Sequence, residues 1–342
     1  MSNQPPIEVP QGAIRLNTDS QRLEFFAQDR WYEMATNTPT LDGGVRGVYM
    51  GGTGAPSTTA IDFFTISTQG NVQDFGDAAV SATNRGPAAS RTRGVAIAGQ
   101  PGQSPYYINN IEFITFSSTG NGTDFGDSTQ LAGSSADGTS NETRGIRACG
   151  GGQSGGFINV IEFITIAHTG NALDFGDQSS ARSNTCQAVA NPVRAIFAGG
   201  YTPTVVNVIE FVSIGTKGNA QDFGDLSQTT RRAGAAYNSV RGVYAGGATP
   251  SSTDVISFIT TASTGNATEF GECNVAAQKK NAVSSPTRGV FCGGYAPGVP
   301  SPGAVNSIEY LEIMSGGKGV DFGDLLRQDG AGCPLSNGHG GL

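Results

Sequence analysis

The sequence predicts an all-β fold assembled from six copies of one four-stranded unit, and three observations carry that expectation. The first is composition. Of 342 residues, 51 are glycine and only 14% are charged, against about 7% and about 25% in average globular chains. Glycine costs about 1 kcal/mol relative to alanine inside a helix, so such a chain favours short strands and tight turns. The second is a signature, Arg-[Gly/Ala]-[Val/Ile]-x-x-x-Gly, that recurs at Arg46, Arg93, Arg144, Arg194, Arg241 and Arg288, in steps of 47, 51, 50, 47 and 47 residues. The third is an inner block beginning at Ile61, Ile111, Ile161, Ile209, Ile256 and Ile308. A Gly follows each of these isoleucines by nine residues and a Phe by fourteen, with no change of length in any copy.

The elements of one copy follow from residue type. RGVYAGG reads as a short strand ending in a flexible glycine pair, and NVIEFVSI, β-branched and aromatic, as the next strand. TGN has the residues of a tight hairpin turn, and DFGD is the returning strand. A Ser/Thr/Ala-rich stretch such as LSQTTRRAGAAYNSV leads to the next Arg and holds a fourth strand. Four strands in such a period match one blade of a β-propeller; a β-solenoid with two coils per period is the alternative. The first copy has no fourth-strand segment ahead of Arg46. The stretch LLRQDGAGCPLSNGHGGL after Asp324 resembles the missing piece. A strand from about residues 328–338 would then complete the first blade and leave no unpaired edge in a six-bladed ring. Residues 46–342 form this ring and residues 1–45 a separate N-terminal β segment.

One polar position recurs between apolar neighbours in the second strand: Asp62, Glu112, Glu162, Glu210 and Glu309, with Ser257 in the fifth copy. The six repeat arginines are the expected partners, giving a structural Arg–carboxylate pair per blade; a ring of arginines binding an anionic ligand is the competing reading. In the N-terminal segment, GAIRLNT and RLEFFAQ are expected to pair around Asp19 and Ser20. A lone hairpin is marginal in water, so this unit needs something to pack on. Trp31, the one tryptophan of the chain, and Tyr32 are candidates for docking or oligomerisation, or else form a small local core.

The formal net charge of −8 and the lack of a basic run exclude a nucleic-acid partner, which needs cations to neutralise phosphate. No apolar run is long enough to span a bilayer, so no membrane insertion is expected. MSNQPPIEVPQG lacks the basic and apolar regions of a secretory signal. Cys149, Cys186, Cys273, Cys292 and Cys333 have no metal-site spacing and read as reduced, mostly buried residues.

The glycine pair closing one strand, the aromatic residue in the next and the period together resemble the kelch superfamily over residues 46–342, although the usual kelch tryptophan is missing from every copy. The wording RGVYAGG…NVIEFITI…TGNATDFGD resembles more closely repeat proteins of tailed bacteriophages, including cyanobacterial phages. Residues 12–34, GAIRLNTDSQRLEFFAQDRWYEM, resemble a short β segment of tail-fibre and other virion proteins. The resemblance implies a virion structural protein, a fibre or other tail or head appendage, made in the host cytoplasm. Its expected partners are other virion proteins or copies of itself, and, where it serves host attachment, a host surface glycan or protein. A carbohydrate-binding or scaffold propeller outside a virion is the alternative.

No catalytic residues are expected. His168 and His339 are the two histidines, too few for the ligand sets of kelch-type copper oxidases. No nucleophile elbow, Cys/His metal spacing or phosphate loop is present, so neither metal nor cofactor is expected. The DFGD carboxylates with the TGN asparagine could be proposed as calcium ligands, but repetition in every copy fits turn geometry better. Recognition is instead placed on the loops after the glycine pairs, which vary in length and carry Tyr106, Tyr107, Phe157, Tyr201 and Tyr295. Aromatic rims suit stacking on sugars or packing on a protein; ordinary loop packing is the plain reading.

Overall fold

A computed structural model describes residues 9–17, 22–33, 45–53, 58–102, 104–133, 137–148, 150–152, 156–299 and 303–342. The chain divides into two compact units, Met1–Leu41 and Asp42–Leu342.

The smaller unit is a three-stranded antiparallel sheet of Ile14–Asn17, Arg22–Ala27 and Arg30–Glu33. Its second turn is two residues long, with Gln28 and Asp29 at φ of 47° and 60°, the left-handed pair that matches strand twist. Alternation puts Ile14, Leu16, Leu23, Phe25 and Tyr32 on one face. The other face carries a cluster: Trp31 meets Phe26 edge-on at 5.3 Å, and the Arg15 guanidinium sits 4.1 Å over the indole while bonding Glu24 at 2.8 Å.

The larger unit is all-β among the described residues and contains six four-stranded antiparallel sheets, an architecture consistent with a β-propeller. Each sheet is numbered here by its repeat arginine, Arg46 being in the first. The second sheet is representative: Gly86–Ala89, Arg93–Gly99, Ile108–Thr115 and Thr123–Asp127 pair in that order. In the first sheet the leading strand is Cys333–Ser336, which pairs with Arg46–Met50 in the register Pro334↔Tyr49. The leading strands of successive sheets lie side by side, and Cys333–Ser336 touches both Gly86–Ala89 and Asn281–Ser284.

Apolar alternation explains the core. Val48, Val95, Ile146, Ile196, Val243 and Val290, the third residue of each signature, are fully buried, and the buried clusters run from one sheet into the next. The DFGD block owes its constant spacing to a bulge. In the first sheet Asp62 faces Asp74 and Ile61 faces Gly76, which skips Phe75. The skipped Phe turns its ring edge onto the aromatic of the neighbouring strand, as in Phe63–Phe75 at 5.8 Å and Phe113–Phe125 at 6.1 Å.

The TGN block is not the hairpin turn. The chain reverses earlier, at 66–68, where the Thr68 amide bonds the Thr65 carbonyl. TGN instead joins neighbouring sheets. Gly120 N–H donates to the Phe75 carbonyl at 2.8 Å, Gly122 N–H to Asp77 at 2.8 Å, and Asn121 Oδ1 accepts from the Asp77 amide at 3.0 Å. Equivalent asparagine bonds run from Asn171, Asn219, Asn266 and Asn71 to Asp127, Asp177, Asp225 and Asp324. The last of these joins the sixth sheet to the first.

Candidate functional site

The repeat arginines do not pair with the repeat acids. In each sheet the arginine stands opposite the Thr65-type residue and the acid opposite the Tyr49-type residue, three positions along the strand. An odd offset places the two side chains on opposite faces. Arg46, Arg93, Arg144, Arg194, Arg241 and Arg288 lie 4.4–5.2 Å over Phe63, Phe113, Phe163, Phe211, Phe258 and Tyr310 of their own sheets. Their guanidinium groups then reach the next sheet, donating to carbonyls of Phe116, Ile166, Ile214, Thr261, Ile313 and Ser67. They are clamps between sheets, and neither the pairing nor the free-ligand reading holds for them. Arg288 adds a half-buried ion pair with Glu312 at 2.9 Å, a residue the repeat pattern did not single out.

The acids find other bases. Glu112 pairs with Arg85, Glu162 with Arg147, Glu210 with Arg182, Glu309 with Lys280 and Asp62 with Arg327. All five acids are buried, and four of them also accept a backbone N–H from the linker entering their sheet, at Ala79, Thr129, Ser179 and Asn274. The bases come from the linkers or, for Arg147, from the facing strand, where no constant spacing marks them. The fifth sheet lacks both members: Ser257 replaces the acid, and Ala233 stands where the linkers of the second and sixth sheets carry Arg85 and Lys280.

The aromatic loop residues are dispersed. Tyr106 is 67% exposed, while Tyr107, Tyr201 and Tyr295 are half-buried. Phe157 and Tyr201, from the third and fourth sheets, meet edge-on at 5.9 Å. The Tyr295 hydroxyl bonds Thr53 Oγ1, so its polar end is used across the junction of the sixth and first sheets. Trp31 and Tyr32 belong to aromatic pairs within the small unit, Trp31 edge-on to Phe26 and Tyr32 stacked on Phe25 at 5.5 Å. Of the histidines, His168 is exposed. His339 is buried and neutral by its contacts: Nε2 donates to the Ala89 carbonyl at 3.0 Å, and Nδ1 accepts from the Gly341 amide at 3.2 Å. Burial pushes its pKa down to about 4, with Arg91 acting in the same direction. Cys186, Cys273, Cys292 and Cys333 are free and buried, and burial pushes the Cys186 thiol up to about 12; Cys149 lies outside the described residues. Among the described residues no three His, Cys, Asp or Glu side chains converge as a metal site.

The leading strands enclose two recesses. One is lined by Ala88, Ala89, Thr139, Ser140, Tyr237 and His339 among others. Tyr237 reaches from the fifth sheet to Thr139 Oγ1 of the third at 2.9 Å. The other is lined by Asn84, Asp137, Gln187, Arg232, Lys279 and Asn281 with their neighbours. Between them Gln187 spans to Ala282, donating to its carbonyl at 2.7 Å and accepting from its amide at 2.8 Å.

No family model matches this chain, and no curated protein does. What the larger unit offers a partner therefore has to be read from its own geometry. The second recess is the concave site with converging polar groups, the form that binding sites take. Sequence reasoning passed over Arg232 and Lys279 because they sit in the linkers, outside the repeated words. A signal was nevertheless present: both occupy the linker position that is Asn in the second and fourth copies and Ala331 in the first.

Proposed function

We propose that residues 46–342 form a six-bladed, kelch-like β-propeller closed by Cys333–Ser336, and that the protein binds and holds as a structural part of a tailed-phage particle. Closure is supported by the contacts that repeat around the unit. The junction Gly70–Val72 takes up Phe322 and Asp324 with the same bonds that Gly120–Gly122 makes to Phe75 and Asp77. A closed ring leaves no unpaired sheet edge between first and last blades.

The observation that carries the binding reading is the division of labour among side chains. The recurring Arg, acid, Asn and Phe residues are all used between or within sheets. The groups left facing solvent and the second recess are those that differ from copy to copy, as expected where a rigid scaffold presents variable loops. The virion assignment is supported by the resemblance of residues 12–34, and the apolar face of that small sheet, with Ile14 and Leu16 at 62% and 60% exposure, suits an anchor to another virion protein or to a second copy. Cryo-EM of purified particles tests the reading directly: a six-bladed disc attached through its N-terminal segment is expected. Particles complete without the protein would overturn it.

A further inference from the structure

Residues 337–342, which follow the strand Cys333–Ser336, lie against four of the sheets, and 337–341 are buried. Asn337 Oδ1 accepts the Arg46 amide of the first sheet at 2.8 Å. His339 Nε2 donates to the Ala89 carbonyl of the second at 3.0 Å and stands 3.2 Å from Ser140 Oγ of the third. Gly340 N–H donates to the Tyr237 carbonyl of the fifth at 3.1 Å, and the rings of His339 and Tyr237 lie 5.3 Å apart. Two glycines make this approach possible. A Cβ on Gly340 would collide with the Asn238 backbone, and one on Gly341 with the Ser140 carbonyl. His339 itself forms part of the wall of the first recess.

His339 holds this segment in one protonation state only. Its Nδ1 accepts from the Gly341 amide at 3.2 Å, so the single ring proton is on Nε2, facing the Ala89 carbonyl. A second proton would sit on Nδ1 and meet the Gly341 N–H, donor against donor. No counter-charge is at hand, because the recess lining includes no Asp, Glu, Lys or Arg. The leading strands Cys333–Ser336, Val189–Ala190 and Asn281–Ser284 carry none either, and Lys280 beside the last is bonded to Glu309. The second sheet brings Arg91, a like charge paired at 3.5 Å with exposed Glu142 of the third. Asp137 of the third accepts the Gly138 amide at 3.1 Å and lines the other recess. The fifth brings the Tyr237 hydroxyl, bonded to Thr139. A buried imidazolium with no carboxylate beside it is costly.

We infer that residues 337–341 form an acid-released strap: neutral His339 pins the segment against the leading strands, and protonation of its ring frees the segment while the sheets beneath stay folded. The strap is built for local release. It contains no strand of its own, and its hold on the second, third and fifth sheets passes through His339 and Gly340. The strand before it keeps an independent register, Cys333–Ser336 against Arg46–Met50. Segments held by few contacts open ahead of the sheets they cover. Release removes the His339 wall of the first recess and bares the Ser140 and Tyr237 side chains that it covers. This device goes beyond the binding reading above and does not depend on it.

Amide hydrogen exchange of the full-length protein, expressed as protection relative to an unfolded chain, tests the strap together with NMR titration of the His339 ring. Burial, with Arg91 acting in the same direction, lowers His339 from 6.5 to about 4. The hold is therefore complete above pH 6.5 and weakens as pH falls toward 4. Protection of residues 338–341 should drop about 200-fold between pH 7 and pH 3, the factor that this shift sets, while Arg93–Gly99 stays protected. In His339→Gln the amide can serve both Ala89 and Gly341 without taking up a proton, so the segment should stay protected to pH 3. Gly341→Ala should unseat the segment already at pH 7 and return the His339 midpoint toward 6.5, a readout that stands even where His339→Gln fails to fold. Four results overturn the inference: a segment still protected at pH 3, one that exchanges only in step with Arg93–Gly99, an equal loss in His339→Gln, or a His339 midpoint unmoved when Gly341→Ala unseats the segment.

Discussion

Replacing Arg182 separates the buried ion pairs from the arginine clamps. Its guanidinium meets the Glu210 carboxylate with both side chains 1% exposed. Arg182→Ala leaves Glu210 with only Ser179, whose amide and hydroxyl donate at 3.2 and 2.6 Å. Stranding a buried charge in this way costs about 3–5 kcal/mol. Arg194→Ala removes much less. Its strongest bond is to the Ala262 carbonyl at 2.9 Å, at an exposed position that water can satisfy, and its ring contact with Phe211 is 4.5 Å. A charged hydrogen bond near the surface plus a partly exposed cation–π contact amount to about 2 kcal/mol. The gap between the variants is thus about 2 kcal/mol, readable by urea denaturation followed by circular dichroism with an unchanged slope. Arg182→Ala combined with Glu210→Ser removes both charges, leaving a Ser at the acid position as Ser257 does in the fifth sheet, so the double variant should be more stable than Arg182→Ala alone. Equal, small losses in both single variants, or a double variant worse than the sum, would refute the account of these acids as buried and dependent on linker bases.

Arg241→Ala should match Arg194→Ala within about 0.5 kcal/mol, because Arg241 makes the same contacts, to Met314 at 2.8 Å and over Phe258 at 4.4 Å, whatever its sheet has in place of the acid. Gly126→Ala should cost several-fold more stability than Gly170→Ala: a Cβ on Gly126 meets the Gly170 carbonyl oxygen at 2.5 Å, while Gly170 has open space and only its φ of +155° to strain. Deleting the chain after Asp324 should abolish cooperative urea unfolding, since it removes the partner of Arg46–Met50; unchanged melting would overturn closure through that strand. His339 and Asp329 should oppose each other in acid. The His339 pKa is lowered from 6.5 to about 4, so its neutral form is fully accommodated above pH 6.5, and stability is lost as pH falls toward 4, by about 3 kcal/mol at about 1.4 per unit. Burial, working against Arg327, raises Asp329 to about 6, so its contribution is present below pH 3.8 and lost as pH rises through 6. His339→Gln should therefore turn a nearly flat profile between pH 6.5 and 4 into one that rises on acidification, in urea midpoints measured across that range.

Much of this fold was legible in the residues because its constraints are local. A strand alternates with a period of two, a bulge needs a glycine beside a large residue, and both leave their mark within one copy. Ile61-to-Phe75 spacing, repeated six times, thus announced the strands and the all-β class. The same locality misled over TGN, whose glycine and asparagine look like a hairpin turn until their partners, Phe75 and Asp77 for Gly120 and Asn121, are seen on the sheet before. It misled again over charge. Arg194 and Glu210 share a copy and seem made for each other, but pleating sends them to opposite faces, and burial rather than proximity in sequence decides that Glu210 takes Arg182. The pairing of Cys333 with Met50 and the meeting of Arg232 with Lys279 at one mouth lie beyond any single copy. They depend on how separate sheets pack against one another, and long-range geometry of that kind is fixed only when the whole chain packs.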